Sequence, residues 1–358
     1  MPPFATAGFV PAQEDAFFIL PVNLGESFAP DYELARHQSW NFSIERQFSS
    51  DFLFRVAYVG SQAYDLPNLW QKNPGIYNPA TQSTLGRITY PEFSSILQYV
   101  TWGRASYNAL QLTFEKKFTR GLQFTSNYSW SKSIDNVSPG AGVFGGQYSN
   151  PFDISHDRGI SSINYPHIWS NYGVWQTPGL KGSSAVARGI LGDWQMSGIW
   201  RLQSGDPFGI SGGGGNQSGS FVGGERADLT GQPFNVSQGE KSDWLVSYMN
   251  RAAFAQPALG TYGNSPRNLF QGPGMNVVDL GISKNFPFKE RYRIQFRWEM
   301  FNAFNRAHFS NPNNNPVSSA FGLISSTKGY GGGAGGGNEQ SIFGVPARVM
   351  QFALKLHW

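Results

Sequence analysis

The sequence contains no cysteine, few charged residues and no long run of apolar residues. The absence of cysteine excludes disulfide frameworks, cysteine zinc ligands and thiol catalysis. Apolar runs fall short of the roughly 18 residues that predict a membrane-spanning helix. Charged residues make up 14% of the chain and the basic residues form no block, so nucleic-acid binding is not expected.

Aromatic residues and glycine are, by contrast, abundant. Phe, Trp and Tyr together make up 15% of the chain, and 43 of the 358 residues are glycine. With so few charges, this composition is unusual for a soluble globular protein. A disordered chain would be poor in aromatic residues. The composition therefore favours an ordered protein of another class.

Apolar and polar residues alternate over segments of about ten residues, the pattern of a strand with one apolar and one polar face. In Arg291–Met300, for example, every second residue from Tyr292 is apolar. Most segments are roughly 10–13 residues long, whereas strands of globular proteins cluster near 5–6 and a tilted membrane strand needs about 9–11. The sequence predicts nine such strands: Ser39–Phe48, Phe52–Tyr64, Tyr107–Phe118, Leu122–Ser131, Ile168–Thr177, Asp193–Gln203, Asn276–Phe286, Arg291–Met300 and Ala347–Trp358.

The connections between these strands are alternately short and long. Outer-membrane barrels have short periplasmic turns and long extracellular loops, whereas soluble domains rarely contain several structureless loops of over about 15 residues. We therefore predict an all-β fold, an antiparallel transmembrane β-barrel portion of about nine to ten long strands. The shorter connections are Ser49–Asp51, Thr119–Gly121, Pro178–Gly192 and Pro287–Glu290; the longer ones are Asp65–Ser106, Ile134–His167, Ser204–Met275 and Ala303–Pro346.

Strand orientation predicts a division of the chain into two parts. If the last strand ends in the periplasm, residues 1–38 form an N-terminal, extracellular segment and residues 39–358 form the barrel portion. Bacterial barrels have an even number of strands, so nine strands predict a fragment whose missing strands precede residue 1. The first residues, MPPFATAGFVPAQEDAFF, lack the basic region and apolar core of a secretory signal. An export signal is therefore also expected upstream.

Several segments resemble the C-terminal barrel of TonB-dependent receptor-like proteins of the Oar-like group, which carry a carboxypeptidase-regulatory-like domain. The resemblance covers most of the chain from about residue 36 onward. It implies a 22-stranded barrel in the Gram-negative outer membrane, with an N-terminal plug and a TonB box that are not visible here. The matching segments are Trp40–Phe48, Tyr58–Ser61, Tyr107–Asp135, Leu191–Phe208 and Phe296–Asn313.

The resemblance also implies partners and a C-terminal signal. The partners are outer-membrane lipid, the barrel-assembly machinery, the TonB complex through the missing N-terminal region, and an unknown extracellular ligand. Such proteins end on an aromatic residue after alternating apolar positions. In this sequence the barrel-assembly signal would be Phe352, Leu354, Leu356 and Trp358, with Trp in the usual place of Phe; an ordinary C-terminal strand is the alternative.

Residue patterns predict no catalytic site, metal site or cofactor. The five histidines (His37, His156, His167, His308 and His357) lack metal-ligand spacing. Residues Gly209–Gly213 match the nucleophile-elbow string G-x-S-x-G around Ser211, but no helical pattern follows them. The glycine-rich segments Gly212–Gly215 and Gly331–Gly337 lack the end of a phosphate loop. The segment Asp153–Arg158 could contact a cation or a ligand, although a hydrogen-bonded loop anchor is the favoured interpretation.

Two further groups have a structural and a functional interpretation. Charged residues of the polar strand faces would point into the lumen, where pairing is the favoured role and substrate passage the alternative; these are Arg201, Lys284, Arg293, Arg297, Glu299 and Lys355. Loop aromatics could contact a sugar or a hydrophobic chelate, and packing of the loops on each other is the alternative explanation; these are Trp70, Tyr77, Tyr99, Trp102, Phe221, Trp244 and Tyr262.

The predicted function is that of an outer-membrane receptor or transporter component. Its extracellular loops would capture a ligand, and uptake would be TonB-coupled when the barrel is joined to the plug. The alternatives are a passive porin or structural surface protein of the same architecture, and a secreted soluble β-sandwich that acts as an adhesin or glycan-binding module. A hydrolase is a weaker alternative. The ligand-binding residues are not predicted.

Overall fold

Ten strands of seven residues or more dominate the computed structural model of the protein. They are β1 (Val22–Phe28), β2 (Arg36–Gln47), β3 (Phe52–Gln71), β4 (Phe93–Thr119), β5 (Leu122–Asp135), β6 (His167–Gln176), β7 (Trp194–Gln203), β8 (Met275–Phe288), β9 (Tyr292–Phe301) and β10 (Val349–His357). The structure describes residues 21–84, 86–87, 89–137, 146–180, 182, 184–235, 240–288, 292–328 and 347–357.

Strands β2 to β10 form one antiparallel sheet in which each strand pairs with its neighbours in sequence. Each predicted strand is present, so the all-β antiparallel fold is confirmed. The sheet is open, with β2 at one edge and β10 at the other. Strand β1 adds to this sheet by pairing in parallel with the first part of β4.

The hairpin of β3 and β4 is longer than predicted. Strand β3 continues to Gln71 and β4 begins at Phe93, so much of the predicted loop Asp65–Ser106 is strand. The pairing register shifts twice between Ala63 and Asn68, and Asp65 there has a positive φ of 56°. Because bulges interrupt the period of two, the sequence pattern ends before the strand does.

Strand register places the apolar residues on one face of the sheet. Residues opposite each other in an antiparallel pair lie on the same face, and Phe296 is paired with Leu354, as Trp298 is with Phe352. On β7, Met196 is paired with Ile282 of β8 on the same face. The other face carries residues such as Gln295, which is paired with Lys355. We call these the apolar and the polar face.

Lys284 is a correction to the predicted faces. It is paired with Trp194 and with Phe296, so it lies on the apolar face rather than on the polar one. Its Nζ lies 5.2 Å from the centre of the Trp194 ring and donates to the carbonyl of Gly192 at 2.5 Å. Lysine can bury its stem along apolar groups while its ammonium reaches polar groups. Its position near a turn explains this placement.

The long connections fold together into a layer, which we call the loop cap: residues 146–166, 204–235, 240–274 and 302–328. Its core contains Phe208, Ile210, Met249, Phe254 and Phe321, buried among one another. Short elements order it, namely two-residue ladders Pro207–Phe208 with Phe270–Gln271 and Asp228–Leu229 with Phe254–Ala255, the 3-10 turns Ile154–Asp157 and Arg251–Ala253, and helix α2 (Lys241–Val246).

The only other α-helix in the described residues is α1 (Ala185–Leu191), which lies in the connection between β6 and β7 and precedes α2 in the chain. The described part of the chain holds no helix that is long and apolar enough to cross a membrane. The predicted extracellular location of residues 1–38 stays a prediction; within that range β1 is formed and β2 begins at Arg36.

Candidate functional site

Two buried ion pairs attach the loop cap to the sheet and to itself. The Arg226 guanidinium lies 2.9 Å from the Asp157 carboxylate, and Arg267 pairs with Asp135 at the end of β5. Asp157 also accepts from the backbone amide of Ser149 at 2.7 Å. A buried charge needs such partners because its desolvation is costly. The interpretation of Asp153–Arg158 as a hydrogen-bonded loop anchor is confirmed.

His156 of the same segment is half-buried beside the Arg226–Asp157 ion pair. Burial, and then the positive charge of Arg226, lower the pKa of His156. Its backbone carbonyl accepts from Arg226 at 2.5 Å, and its ring packs edge-on against Tyr262. In the described residues no group of three or more His, Asp or Glu side chains is placed to hold a metal ion.

Ser211 does not have the geometry of a nucleophile elbow. Its backbone forms an isolated bridge with Arg226, and its hydroxyl accepts from the amide of Gly213. The elbow requires a strand-to-helix turn, but the next helix, α2, begins only at Lys241. The residues Gly212–Gly215 are part of the loop cap, and Gly331–Gly337 lie outside the described residues.

The predicted loop aromatics pack on neighbouring residues, as one of the two interpretations predicted, but Trp70, Tyr99 and Trp102 lie on strands β3 and β4 rather than in loops. The indole of Trp70 donates to the Pro151 carbonyl at 2.8 Å and its ring contacts that of Trp102. Phe221 lies 5.3 Å from the Arg87 guanidinium. Tyr99, Tyr262 and Tyr77 likewise contact Phe28, His156 and Gly260, respectively. These contacts tie the loops together.

Trp244 differs from these residues because it lines an open cleft of about 750 Å3 at the edge of the loop cap. We call this the rim cleft. Its aromatic wall consists of Trp244, Tyr248 and Phe309, with Trp244 edge-on to each of the other two rings. The remainder of the lining is Gly272, Pro273, Gly274, Asn276, Asn305, Arg306, Ala307 and His308.

Two connections, the one between β7 and β8 and the one after β9, meet at the rim cleft and hold its wall. Trp244 comes from α2, and the Tyr248 hydroxyl donates to the Gln271 carbonyl at 2.8 Å. Phe309 follows β9 and forms an isolated bridge with Thr327. These contacts fix the positions of the aromatic rings, and a preformed site lowers the entropic cost of binding.

His308 and Arg306 supply the polar side of the rim cleft. His308 is 4% exposed, and its Nε2 lies 3.2 Å from the backbone nitrogen of Asn276. Its Nδ1 has no hydrogen-bond partner among the described residues. Burial lowers the pKa of His308, and the charges of Lys328 and Arg306 lower it further. The imidazole therefore lines the cleft as a buried ring whose Nε2 contacts the backbone of Asn276 and whose Nδ1 is shielded from solvent.

Arg306 is exposed and packs 6.0 Å from the Phe304 ring. Within the described ranges no carboxylate forms an ion pair with it. The neighbouring Lys328 is instead paired with Asp206 at 2.5 Å. The cleft therefore combines flat apolar rings with hydrogen-bonding groups and one unpaired positive charge. This combination suits a neutral or anionic ligand with a ring face.

Charged residues of the polar face form pairs, as predicted for Arg297 and Glu299, whose side chains lie 3.3 Å apart. Arg55 of β3 and Glu45 of the edge strand β2 lie 2.7 Å apart. Arg293 and Lys355 are on the same face by register, and Arg201 is on it as well. These positions place charges where a lumen can hydrate them.

The predicted assembly-signal residues lie on β10 at the edge of the sheet. Phe352, Leu354 and Leu356 are exposed on the apolar face, and Trp358 lies outside the described residues. Their role as a barrel-assembly signal stays a prediction.

The rim cleft was not predicted from the sequence. Trp244 was among the predicted loop aromatics, but Tyr248, Phe309, Arg306 and His308 were not grouped with it. They are brought together by pairing of distant segments, so no local spacing marks them.

Comparison with known proteins places the chain among outer-membrane proteins. A family model described as an outer membrane beta barrel domain matches residues 2–351. A search of curated proteins gives no match.

Three solved structures are similar to the chain, which spans about a third of the length of each. The outer membrane transporter YddB from Escherichia coli has a TM-score of 0.47 and 13% identity, covering 94% of this chain and 34% of that one. The FrpB iron transporter from Neisseria meningitidis has a TM-score of 0.42 and 12% identity, and the match covers 93% of this chain and 32% of that one. BauA, the ferric preacinetobactin receptor from Acinetobacter baumannii, has a TM-score of 0.42 and 10% identity, and the match covers 89% of this chain and 29% of that one.

Proposed function

Because the chain belongs to the outer membrane β-barrel family and lies in the outer membrane, we propose that it is the barrel part of a receptor that captures a ligand on its loop cap. The rim cleft carries this proposal. Binding residues commonly lie on loops that a rigid scaffold, here the barrel, holds in position. Binding and uptake, rather than catalysis, are the proposed activities.

The proposed ligand has a sugar ring or an aromatic ring together with hydroxyl or anionic groups. Its ring would stack on Trp244 and Tyr248, while its polar groups would meet His308, Arg306 and Asn276. Aromatic side chains provide large apolar area with specific geometry, and a few polar groups fix orientation. A free metal cation suits the site poorly because Arg306 is positive.

Uptake is proposed to be TonB-coupled when the barrel acts with a plug. This part rests on the sequence resemblance to TonB-dependent receptor-like proteins. The alternative is a passive porin or surface protein with the same barrel. A soluble β-sandwich fits poorly, since a sandwich needs two sheets packed face to face and β2 to β10 form one sheet.

Binding is tested with the full-length protein in detergent, using a maltooligosaccharide and a ferric catecholate as two labelled probes. Replacement of Trp244 by Ala should weaken binding of the active probe by about tenfold, equivalent to about 1.4 kcal/mol. The matched control is Trp102→Ala, a tryptophan of β4 that does not line the cleft. Failure of both probes to bind, or equal losses in both variants, would contradict a ligand site in the rim cleft.

Energy coupling is tested separately in cells by accumulation of the bound probe. A coupled receptor should lose accumulation when the inner-membrane proton gradient is collapsed, whereas binding at the surface should persist. A passive porin should continue to equilibrate the probe under the same conditions. Uptake that is insensitive to the gradient would be compatible with the barrel fold but would contradict TonB-coupled uptake.

A further inference from the structure

Helix α1, in the connection between β6 and β7, exposes apolar side chains next to the apolar face of the sheet. Val186, Ile190 and Leu191 are 70%, 59% and 62% exposed. At 3.6 residues per turn they fall on one side of the helix together with Ala187. Arg188 lies on the other side and is also exposed. The helix is therefore amphipathic, and its large apolar side chains are exposed.

Contacts at its C-terminal end fix where α1 lies. The carbonyl of Ile190 accepts from the indole Nε1 of Trp194 at 2.8 Å, and the carbonyl of Gly192 accepts from Nζ of Lys284 at 2.5 Å. Trp194 and Lys284 are opposite each other on the apolar face. The end of α1 is thus tied to the side of the sheet that faces lipid.

Both ends of the helix are capped by hydrogen bonds within its own segment. The Ser184 hydroxyl accepts from the amide of Ala187 at 3.2 Å, and the amide of Gly192 closes the last turn on the Arg188 carbonyl. Seven residues would be a marginal helix in water alone. Its cap and its ties to Trp194 and Lys284 therefore hold the apolar side chains in one direction.

We propose that α1 is an in-plane anchor that inserts Val186, Ile190 and Leu191 into the phospholipid interface at the periplasmic side of the membrane. The occupant of this surface is lipid because the surface continues the lipid-facing side of the sheet through Trp194. Short connections of outer-membrane barrels lie on the periplasmic side. Tryptophan is enriched at membrane–water interfaces, and Arg188 is placed to stay in the headgroup layer.

The absence of cysteine from the sequence allows single spin labels to test this placement. Labels on Ile190→Cys, Leu191→Cys and Arg188→Cys would be compared in the full-length protein reconstituted in phospholipid bilayers. Accessibility to oxygen and to a water-soluble nickel complex gives the depth of each label. Met196→Cys and Ser197→Cys, neighbours on opposite faces of β7, serve as the lipid and polar-face references.

The labels at Ile190 and Leu191 should lie roughly 5–10 Å into the headgroup–acyl boundary, as expected for an interfacial helix. They should be accessible to oxygen and shielded from nickel, whereas the label at Arg188 should be accessible to nickel. Nickel access at Ile190 and Leu191 equal to that at Arg188 would overturn the proposal. Shielding from both reagents would also overturn it, because a protein partner would then cover the helix. Heat-dependent mobility on gels would verify folding of each variant.

Discussion

The sheet and the loop cap are stabilised in different ways. In the sheet, side chains are mostly half-buried on the inner strands and exposed on the edge strands β2 and β10, and the strands are joined by regular backbone ladders. Its apolar face is suited to a hydrocarbon environment, in which every backbone polar group must be paired. The cap instead has a core of its own, around Phe208, Phe254 and Phe321, and buried ion pairs. The stability of the sheet therefore depends on the surrounding membrane, whereas that of the cap depends on its internal contacts.

Ion pairs illustrate this difference at similar geometry. Arg226 and Asp157 of the cap are 2.9 Å apart with side chains 10% and 3% exposed. Arg55 and Glu45 of the sheet are 2.7 Å apart with side chains 49% and 45% exposed. Removing one partner of a buried pair leaves an uncompensated charge, whereas an exposed charge is solvated by water. Distance alone therefore does not rank the two pairs.

The largest expected effect is that of Asp157→Ala in the cap. We expect a loss of about 3–5 kcal/mol in local stability, since Arg226 would remain buried without its partner. Hydrogen exchange of the backbone amides near Ser149 and Arg226 would measure it. The matched control is Asp153→Ala, because Asp153 lies in the same turn but accepts its hydrogen bonds from Ser155 in an exposed position. Equal exchange rates in the two variants would contradict the anchor.

The next effect distinguishes the two faces of the sheet. Replacing Phe296 with Arg should cost roughly 2–4 kcal/mol if its side chain faces lipid near the midplane. The same replacement at Gln295, on the polar face, should cost much less. Urea unfolding of the full-length protein in lipid vesicles would compare the two. Similar costs would show that the faces assigned from strand register are wrong.

The contrast between the regions also explains what could be predicted from the sequence. Alternation marks each long strand because it reflects two environments on the two faces. It assigned Phe296 and Gln295 to opposite faces, as strand register confirms, and it failed at Asp65, where a bulge breaks the period. Lys284 was assigned by its charge, although alternation with Ile282 and Phe286 places it on the apolar face.

The cap has no comparable local signal. Arg226 and Asp157 are 69 residues apart, and Arg267 and Asp135 are 132 residues apart. The rim cleft similarly joins α2 to residues after β9. Such contacts depend on how the loops fold over one another, which a single sequence does not encode as a period. The sequence predicted that Asp153–Arg158 is a hydrogen-bonded loop anchor, but it did not predict Arg226 as its partner.

A pH effect should be confined to the cap. Burial lowers the pKa of His308 below its usual 6.5, so the unfolded chain binds more protons than the folded cap below pH 6.5. Stability is then fully present above that pH and falls as the pH decreases toward the lowered pKa. His156 has the same direction of shift. Hydrogen exchange of the cap should therefore accelerate on acidification, while that of β7 to β9 should not.

The variant His308→Gln should remove part of this acid sensitivity because glutamine does not titrate. The variant His156→Gln should remove another part. An unchanged pH profile in the double variant would show that other groups cause the acid effect. Acceleration of equal size in β7 to β9 would contradict its confinement to the cap.

The smallest effect is expected for Glu45→Gln on the polar face. The exposed pair with Arg55 should contribute only about 0.2–1 kcal/mol, because both charges can be hydrated and salt screens their attraction. Urea unfolding at low and high salt would measure the difference, with Ser43→Ala on the same face of β2 as the control. A loss as large as that of Asp157→Ala would mean that Arg55 and Glu45 lie in a dry environment in the membrane. The sheet would then depend on buried charge pairing in the same way as the loop cap.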